Sequence, residues 1–156
     1  MTITVTLNGK RITDDVAPDL LLYDWLRQKG CLSVKCGCET TNCGLCTVHV
    51  DGKPTLSCAM LAVRADKKTV TTLEGLQEEA IEFGGFMADE GAEQCGFCNP
   101  GFIMNVLAMK EEPDVYTWTD RQIKEYLEGN LCRCTGYAGH LRAIRRYLAA
   151  RQEGMK

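Results

Sequence analysis

Four of the residues between Cys36 and Cys46, in the stretch CGCETTNCGLC, are cysteine, and ten cysteines occur along the 156-residue chain. Disulfides are disfavoured in a reducing compartment. Pairs such as Cys36/Cys38 and Cys132/Cys134 are also too close in sequence to bridge easily. Metal ligation is the chemistry that uses many thiols at once. Cys38, Cys43 and Cys46 read C-x4-C-x2-C, the plant-type [2Fe–2S] spacing, which takes its fourth thiolate from further along. Cys58 is the candidate for that fourth position. A loop that supplies three ligands must bend sharply and turn its amides toward sulfur, and Gly37 and Gly44 suit that bending. A structural zinc site prefers two close C-x2-4-C pairs and fits this pattern poorly.

A second set lies downstream. Cys95 and Cys98 form a C-x2-C pair, and Cys132 and Cys134 a C-x-C pair. Both pairs are expected at helix starts, where free N–H groups and the positive end of the helix dipole suit anionic sulfur. Spacing alone leaves zinc open here beside iron–sulfur.

The elements that must hold these sets read differently in the two halves. In the first, TITVTLNGKRITDDV gives two strands about an Asn8-Gly9 hairpin turn, and CTVHVDGKPTLSC a second hairpin about Asp51-Gly52. DLLLYDWLRQKG places Leu21, Leu22, Trp25 and Leu26 on one helical face with Gly30 as a stop, and KTVTTLEGL reads as a closing strand. The second half turns helical. LQEEAIEFGGFMADEGA is helical in pattern despite Gly84-Gly85, and NPGFIMNVLAMKEE has Pro100 near a helix start. TDRQIKEYLEGN opens on a Thr119/Gln122 capping box, and AGHLRAIRRYLAARQE is a basic amphipathic helix. The expected boundary separates residues 1–76 from 77–156, a small mixed sheet with one helix from a four-helix unit.

Apolar residues at 45% support a packed core, and the net charge of −3 without a basic stripe argues against nucleic acid. The start MTITVTLNGK has no charged region ahead of an apolar one, and no apolar run reaches membrane-spanning length. A cytoplasmic location is therefore expected.

KCGCETTNCGLCTV, the SC at 57–58, QCGFCNPGF and GNLCRCTGY resemble, in order, the motifs of the iron–sulfur small subunit of the molybdenum hydroxylases, the xanthine dehydrogenase family. The resemblance runs from Thr2 to about Arg151. It implies an α+β chain: a β-grasp ferredoxin-like domain, then a four-helix domain, each holding one [2Fe–2S] cluster. It assigns Cys38, Cys43, Cys46 and Cys58 to the first cluster and Cys95, Cys98, Cys132 and Cys134 to the second. It further implies a hetero-oligomer with a large molybdopterin-binding subunit and a medium FAD-binding subunit. Gln94 and Cys134 would approach the pterin, while the Cys38–Cys46 loop would face the flavin side. The chain departs from the family pattern at Thr41, where glycine is usual, at Cys36, where an acidic residue is common, and at Asn99.

The implied role is one-electron transfer, with no catalytic residue on this chain and an N-heterocycle such as a purine or nicotinate as the complex's substrate. A free-standing two-cluster ferredoxin and a zinc-stapled interaction module are the alternatives. Cys31 and Cys36 are left over and read as a buried small side chain and a free thiol beside the loop, rather than a redox-sensing pair or a spare ligand. His49 and His140 could be ligands in principle but read as surface or packing residues. Arg142, Arg145, Arg146 and Arg151 read as a docking face or a solvated one, and Phe102, Ile103, Val106 and Leu107 as core.

Overall fold

The computed structural model describes residues 1–154. Strands β1 (Thr2–Leu7), β2 (Lys10–Asp15), β3 (Thr47–Val50), β4 (Lys53–Leu56) and β5 (Thr69–Thr71) form one mixed sheet in the order β2-β1-β5-β3-β4. Only β1 and β5 pair in parallel; the other neighbours are antiparallel. Both hairpins turn where expected. Asn8 and Gly9 have φ of 47° and 79°, and Asp51 and Gly52 have 50° and 79°, so both turn residues are left-handed, as a two-residue turn matched to strand twist requires.

Helix α1 (Leu22–Gln28) packs on this sheet with Leu22, Trp25 and Leu26 fully buried. Trp25 meets its polar need by donating from Nε1 to Asp14 Oδ2 at 2.9 Å. Leu21 differs from the sequence expectation. It is the extended residue before the helix, and it makes an isolated antiparallel bridge to Leu61 instead of lying on the helical face. The sheet and single helix make a β-grasp unit.

Four helices follow: α2 (Gln77–Asp89), α3 (Asn99–Met109), α4 (Asp120–Leu127) and α5 (Ala138–Gly154). Helix α2 runs unbroken through Gly84-Gly85, because Phe83 and Met87 anchor its inner face. Thr119 and Gln122 form the expected capping box of α4. Helix α3 is buried along most of its length, and Phe102, Ile103, Val106 and Leu107 are core. One apolar cluster gathers residues between Ile3 and Val70; a second gathers residues between Phe83 and Leu148. None of the described helices is long and apolar enough to cross a membrane.

Residues 72–76 join the units and are pinned by a polar knot. Glu74 accepts from Ser33 N at 2.8 Å, Ser33 Oγ at 2.6 Å and Thr72 Oγ1 at 2.6 Å. Asn8 completes the knot, accepting from Thr72 N and donating to Thr72 Oγ1, each at 2.9 Å. Burial pushes the Glu74 carboxyl up, but these hydrogen bonds outweigh it and hold the pKa below the usual value. A carboxylate with a depressed folded pKa contributes stability above its unfolded pKa of about 4.3 and loses it as pH falls through the folded value. Glu74→Gln should therefore cost about 1 kcal/mol at pH 7, screening by solvent included. Urea midpoints should show the gap at pH 7 and its narrowing only as pH falls below about 4, through the depressed folded pKa; an equal midpoint at pH 7 would remove Glu74 from the account.

Candidate metal centres

The first thiol set forms on the loop between α1 and β3. Gly44 (φ 75°) and Thr41 (φ 58°) supply the left-handed turns. A β-branched residue in that region is strained by about 1–2 kcal/mol, so Thr41 keeps a conformation that suits glycine at a cost. Its hydroxyl donates to the Thr40 carbonyl at 2.7 Å. The loop turns amides toward sulfur. Hydrogen bonds from the Asn42, Thr40 and Cys43 amides lower the Cys38 thiol to about 6. Cys43 receives amides from Leu45 and Gly37, yet burial still pushes its thiol up. Cys58 arrives from the short 3-10 turn Ser57–Ala59 after β4. Burial first, then the Cys46 thiol and the charges of Cys46, Cys38 and Cys43, raise Cys58 to about 12. That mutual repulsion is what four sulfurs brought to one place produce, and a cationic metal centre reverses its sign.

The second set closes from two loops. Cys98 is the N-cap of α3, as the sequence predicts. Cys132 and Cys134 sit in the loop ahead of α5, whose first residue is Ala138, so they are further from a helix start than expected. Cys95 Sγ and Cys134 Sγ lie 3.6 Å apart. The Phe97 amide is the main cause that lowers Cys95. Cys98 is raised to about 12 by burial, by the Cys132 thiol and by the charges of Cys132 and Cys95. Cys132 receives the Thr135 and Cys134 amides and the Thr135 hydroxyl, which outweigh its burial and lower its thiol. Two sets of four thiols, each beside backbone N–H donors, match the donor chemistry of an iron–sulfur cluster.

The leftover residues sort by environment. Cys31 is buried in the first core, and burial raises its thiol. Cys36 is exposed and donates from Sγ to the Cys38 carbonyl at 3.0 Å. Neither histidine lies at the surface. His49 is buried, with Nε2 donating to the Met104 carbonyl at 2.7 Å. His140 is buried against Phe102 at 4.5 Å, with Nδ1 3.1 Å from Thr135 Oγ1. A His140 ring nitrogen and the sulfurs of Cys98 and Cys132 lie within 4.8 Å of one another, a proximity the sequence analysis missed. The only signal was the placement of His140 in the first turn after GNLCRCTGY.

The four arginines of α5 all pair within the chain. Arg142 and Arg146 meet Glu90, Arg146 also meets Asp89, Arg145 meets Asp120 and Arg151 meets Glu82. They staple α5 to α2 and α4. Gln94 and Cys134 do come together: both are exposed, and Gln94 Nε2 donates to the Cys134 carbonyl at 3.1 Å.

The β-grasp unit, the helical unit and their two thiol sets define a protein of the two-cluster [2Fe–2S] class. A 2Fe-2S iron-sulfur cluster binding domain matches residues 11–82, and a [2Fe-2S] binding domain matches residues 72–145. The nicotinate dehydrogenase small FeS subunit of Eubacterium barkeri is 41% identical over 149 residues, covering 93% of each chain. The xanthine dehydrogenase iron-sulfur-binding subunit of Escherichia coli O157:H7 is 44% identical over 139 residues, covering 88% of this chain and 87% of that one. The structure of quinoline 2-oxidoreductase from Pseudomonas putida 86 superposes with a TM-score of 0.86 at 36% identity, over 99% of this chain and 97% of that one. The chain belongs to the iron–sulfur small subunits of the molybdenum hydroxylase, or xanthine dehydrogenase, family.

Proposed function

We infer that this chain is the electron-transfer subunit of a multi-subunit molybdenum hydroxylase. Two [2Fe–2S] clusters supply one-electron redox chemistry, linking a molybdopterin centre on a large subunit to FAD on a medium subunit or to another acceptor. The observation that carries the reading is the pair of four-thiol sets on a chain whose relatives are named as iron–sulfur subunits of dehydrogenases. Cys38, Cys43, Cys46 and Cys58 are the ligands of one cluster, and Cys95, Cys98, Cys132 and Cys134 of the other.

This chain's own work is to hold and insulate. Amides of the 37–46 loop stabilise negative charge on Cys38 and Cys43, and those of 97 and 134–135 do so for Cys95 and Cys132. Cys98, at the start of α3, is half-buried. Gln94 and Cys134 form the patch for the pterin, an assignment supported by their mutual hydrogen bond and exposure. The domain division falls between residues 76 and 77. It is supported by the end of β5 at Thr71 and the start of α2 at Gln77. An N-heterocyclic substrate for the complex fits relatives named for nicotinate, xanthine and caffeine. The location is cytoplasmic.

Purification under native conditions tests the whole reading. The chain should copurify with two larger subunits and contain four irons and four acid-labile sulfides, as two [2Fe–2S] domains require. In the structure of the complex, Gln94 and Cys134 should be covered by the molybdopterin subunit. Zinc without sulfide, or a monomer with full clusters and no partner, would overturn it.

A further inference from the structure

The two thiol sets touch through the backbone. Leu131 N donates to the Cys43 carbonyl at 2.9 Å, so a residue of the first set is hydrogen-bonded to the chain neighbour of Cys132 in the second. From Cys43 Sγ to Cys132 Sγ this contact leaves a path with one through-space step, the hydrogen bond itself. Asn130 stands beside it, with a relative exposure of 4%. Its Nδ2 donates to the Gly44 carbonyl at 3.3 Å, and its Oδ1 accepts from Asn105 Nδ2 on α3. Its backbone is held as well. Asn130 N donates to the Leu127 carbonyl at 2.9 Å, and its carbonyl accepts from Tyr137 Oη at 3.2 Å. The same Tyr137 oxygen accepts from Cys132 N at 2.6 Å, so one side chain brackets Leu131 on both sides.

A buried carboxamide is retained at a desolvation cost unless its bonds are made, and here both ends are bonded. Among the described residues, the hydrogen-bond partners of Asn130 are Gly44, Asn105, Leu127 and Tyr137, none of them a cysteine. Its side chain joins the loop of one set to that of the other and to helix α3, and holds neither set by itself. We propose that Asn130 is a positioning residue that fixes the contact between the two clusters by holding the Cys43 carbonyl against the Leu131 N–H. This rests on the two-cluster reading above. The transfer it serves moves one electron from one thiol-held centre to the other, with one oxidised, the other reduced, and no proton moved.

The test uses the complex purified with its partner subunits. In the parent, dithionite reduction should give two EPR signals split at low temperature by their mutual magnetic interaction; absence of two iron–sulfur signals would defeat the two-cluster reading rather than this proposal. Asn130→Leu, with the same branched heavy-atom skeleton and no polar atoms, should keep full iron and sulfide and both signals. It should weaken the splitting and slow electron equilibration between the centres after a substoichiometric pulse of reductant in freeze-quenched samples. Asn105→Leu removes only the outer buttress and should weaken the splitting in the same direction, while Asn130→Asp, which keeps the acceptor for Asn105, should fall between Asn130→Leu and the parent. Unchanged splitting and equilibration in Asn130→Leu at full iron content would overturn the proposal. Loss of iron from either set in both Asn130→Leu and Asn105→Leu would overturn it too, by making these residues part of a cluster's own fold.

Discussion

Cys98→Ser removes half of the iron and half of the acid-labile sulfide and abolishes one of the two EPR signals of the reduced protein, while Cys43→Ser removes the other half and the other signal. The expectation follows from which sulfurs perturb which. Burial raises Cys58 first, and the cysteines that raise it further are Cys46, Cys38 and Cys43, all of the first half. Burial raises Cys98 first, and the cysteines that raise it further are Cys132 and Cys95, both of the second half. Serine oxygen is a harder ligand and a poorer match for an iron–sulfur cluster. At Cys98 it also leaves a half-buried hydroxyl where partial burial already disfavours charge. Cys31→Ser and Cys36→Ala should spare both signals, since Cys31 lies in the apolar core and Cys36 points to a carbonyl. Metal analysis with EPR at two temperatures reads the result. If Cys98→Ser erased the signal that Cys43→Ser also erases and left the other intact, the partition of ligands would be wrong.

Much of this was legible in the sequence because the signals were local. Asn8-Gly9 and Asp51-Gly52 demand left-handed turns, Thr119 and Gln122 cap each other across one helical turn, and C-x4-C-x2-C prescribes a loop whatever lies around it. What stayed hidden is contact between segments far apart in the chain. His140 carries no mark beyond its place in the first turn of α5, and only the approach of α5 to α3 brings it near Cys98. The α5 arginines look like a free basic face until α2 and α4 supply Glu90, Asp89, Glu82 and Asp120. Leu21 fits the helical period, yet the extended backbone needed to pair with Leu61 overrides it. The hydrogen bond from Leu131 to Cys43 joins residues whose separation no periodicity encodes.

Gly101→Ala should destabilise the holoprotein by about 2 kcal/mol and disturb the first cluster, although the residue lies in the second half. Helix propensity predicts the opposite sign. Gly101 sits in the first turn of α3, where alanine is worth about 1 kcal/mol more than glycine. Geometry decides against propensity here. A Cβ at this position would be driven onto the Gly44 carbonyl and would stand 2.9 Å from Leu45 Cα and 3.0 Å from Leu45 O. All three are backbone atoms of the loop that carries Cys43 and Cys46, so no side chain can swing aside. The helix must retreat, and the His49–Met104 bond and the packing of α3 against β3 go with it. Gly85→Ala supplies the contrast. Its Cβ on α2 would meet nothing within 4 Å, so propensity should act alone and stabilise the protein by up to about 1 kcal/mol. Urea unfolding followed by the visible absorption of the clusters and by tryptophan fluorescence measures both. The paired outcome, one alanine lowering the midpoint and the other raising it, is what close backbone contact between the two halves requires. A Gly101→Ala protein as stable as the parent, with an unchanged first EPR signal, would mean that α3 does not lie against the cluster loop.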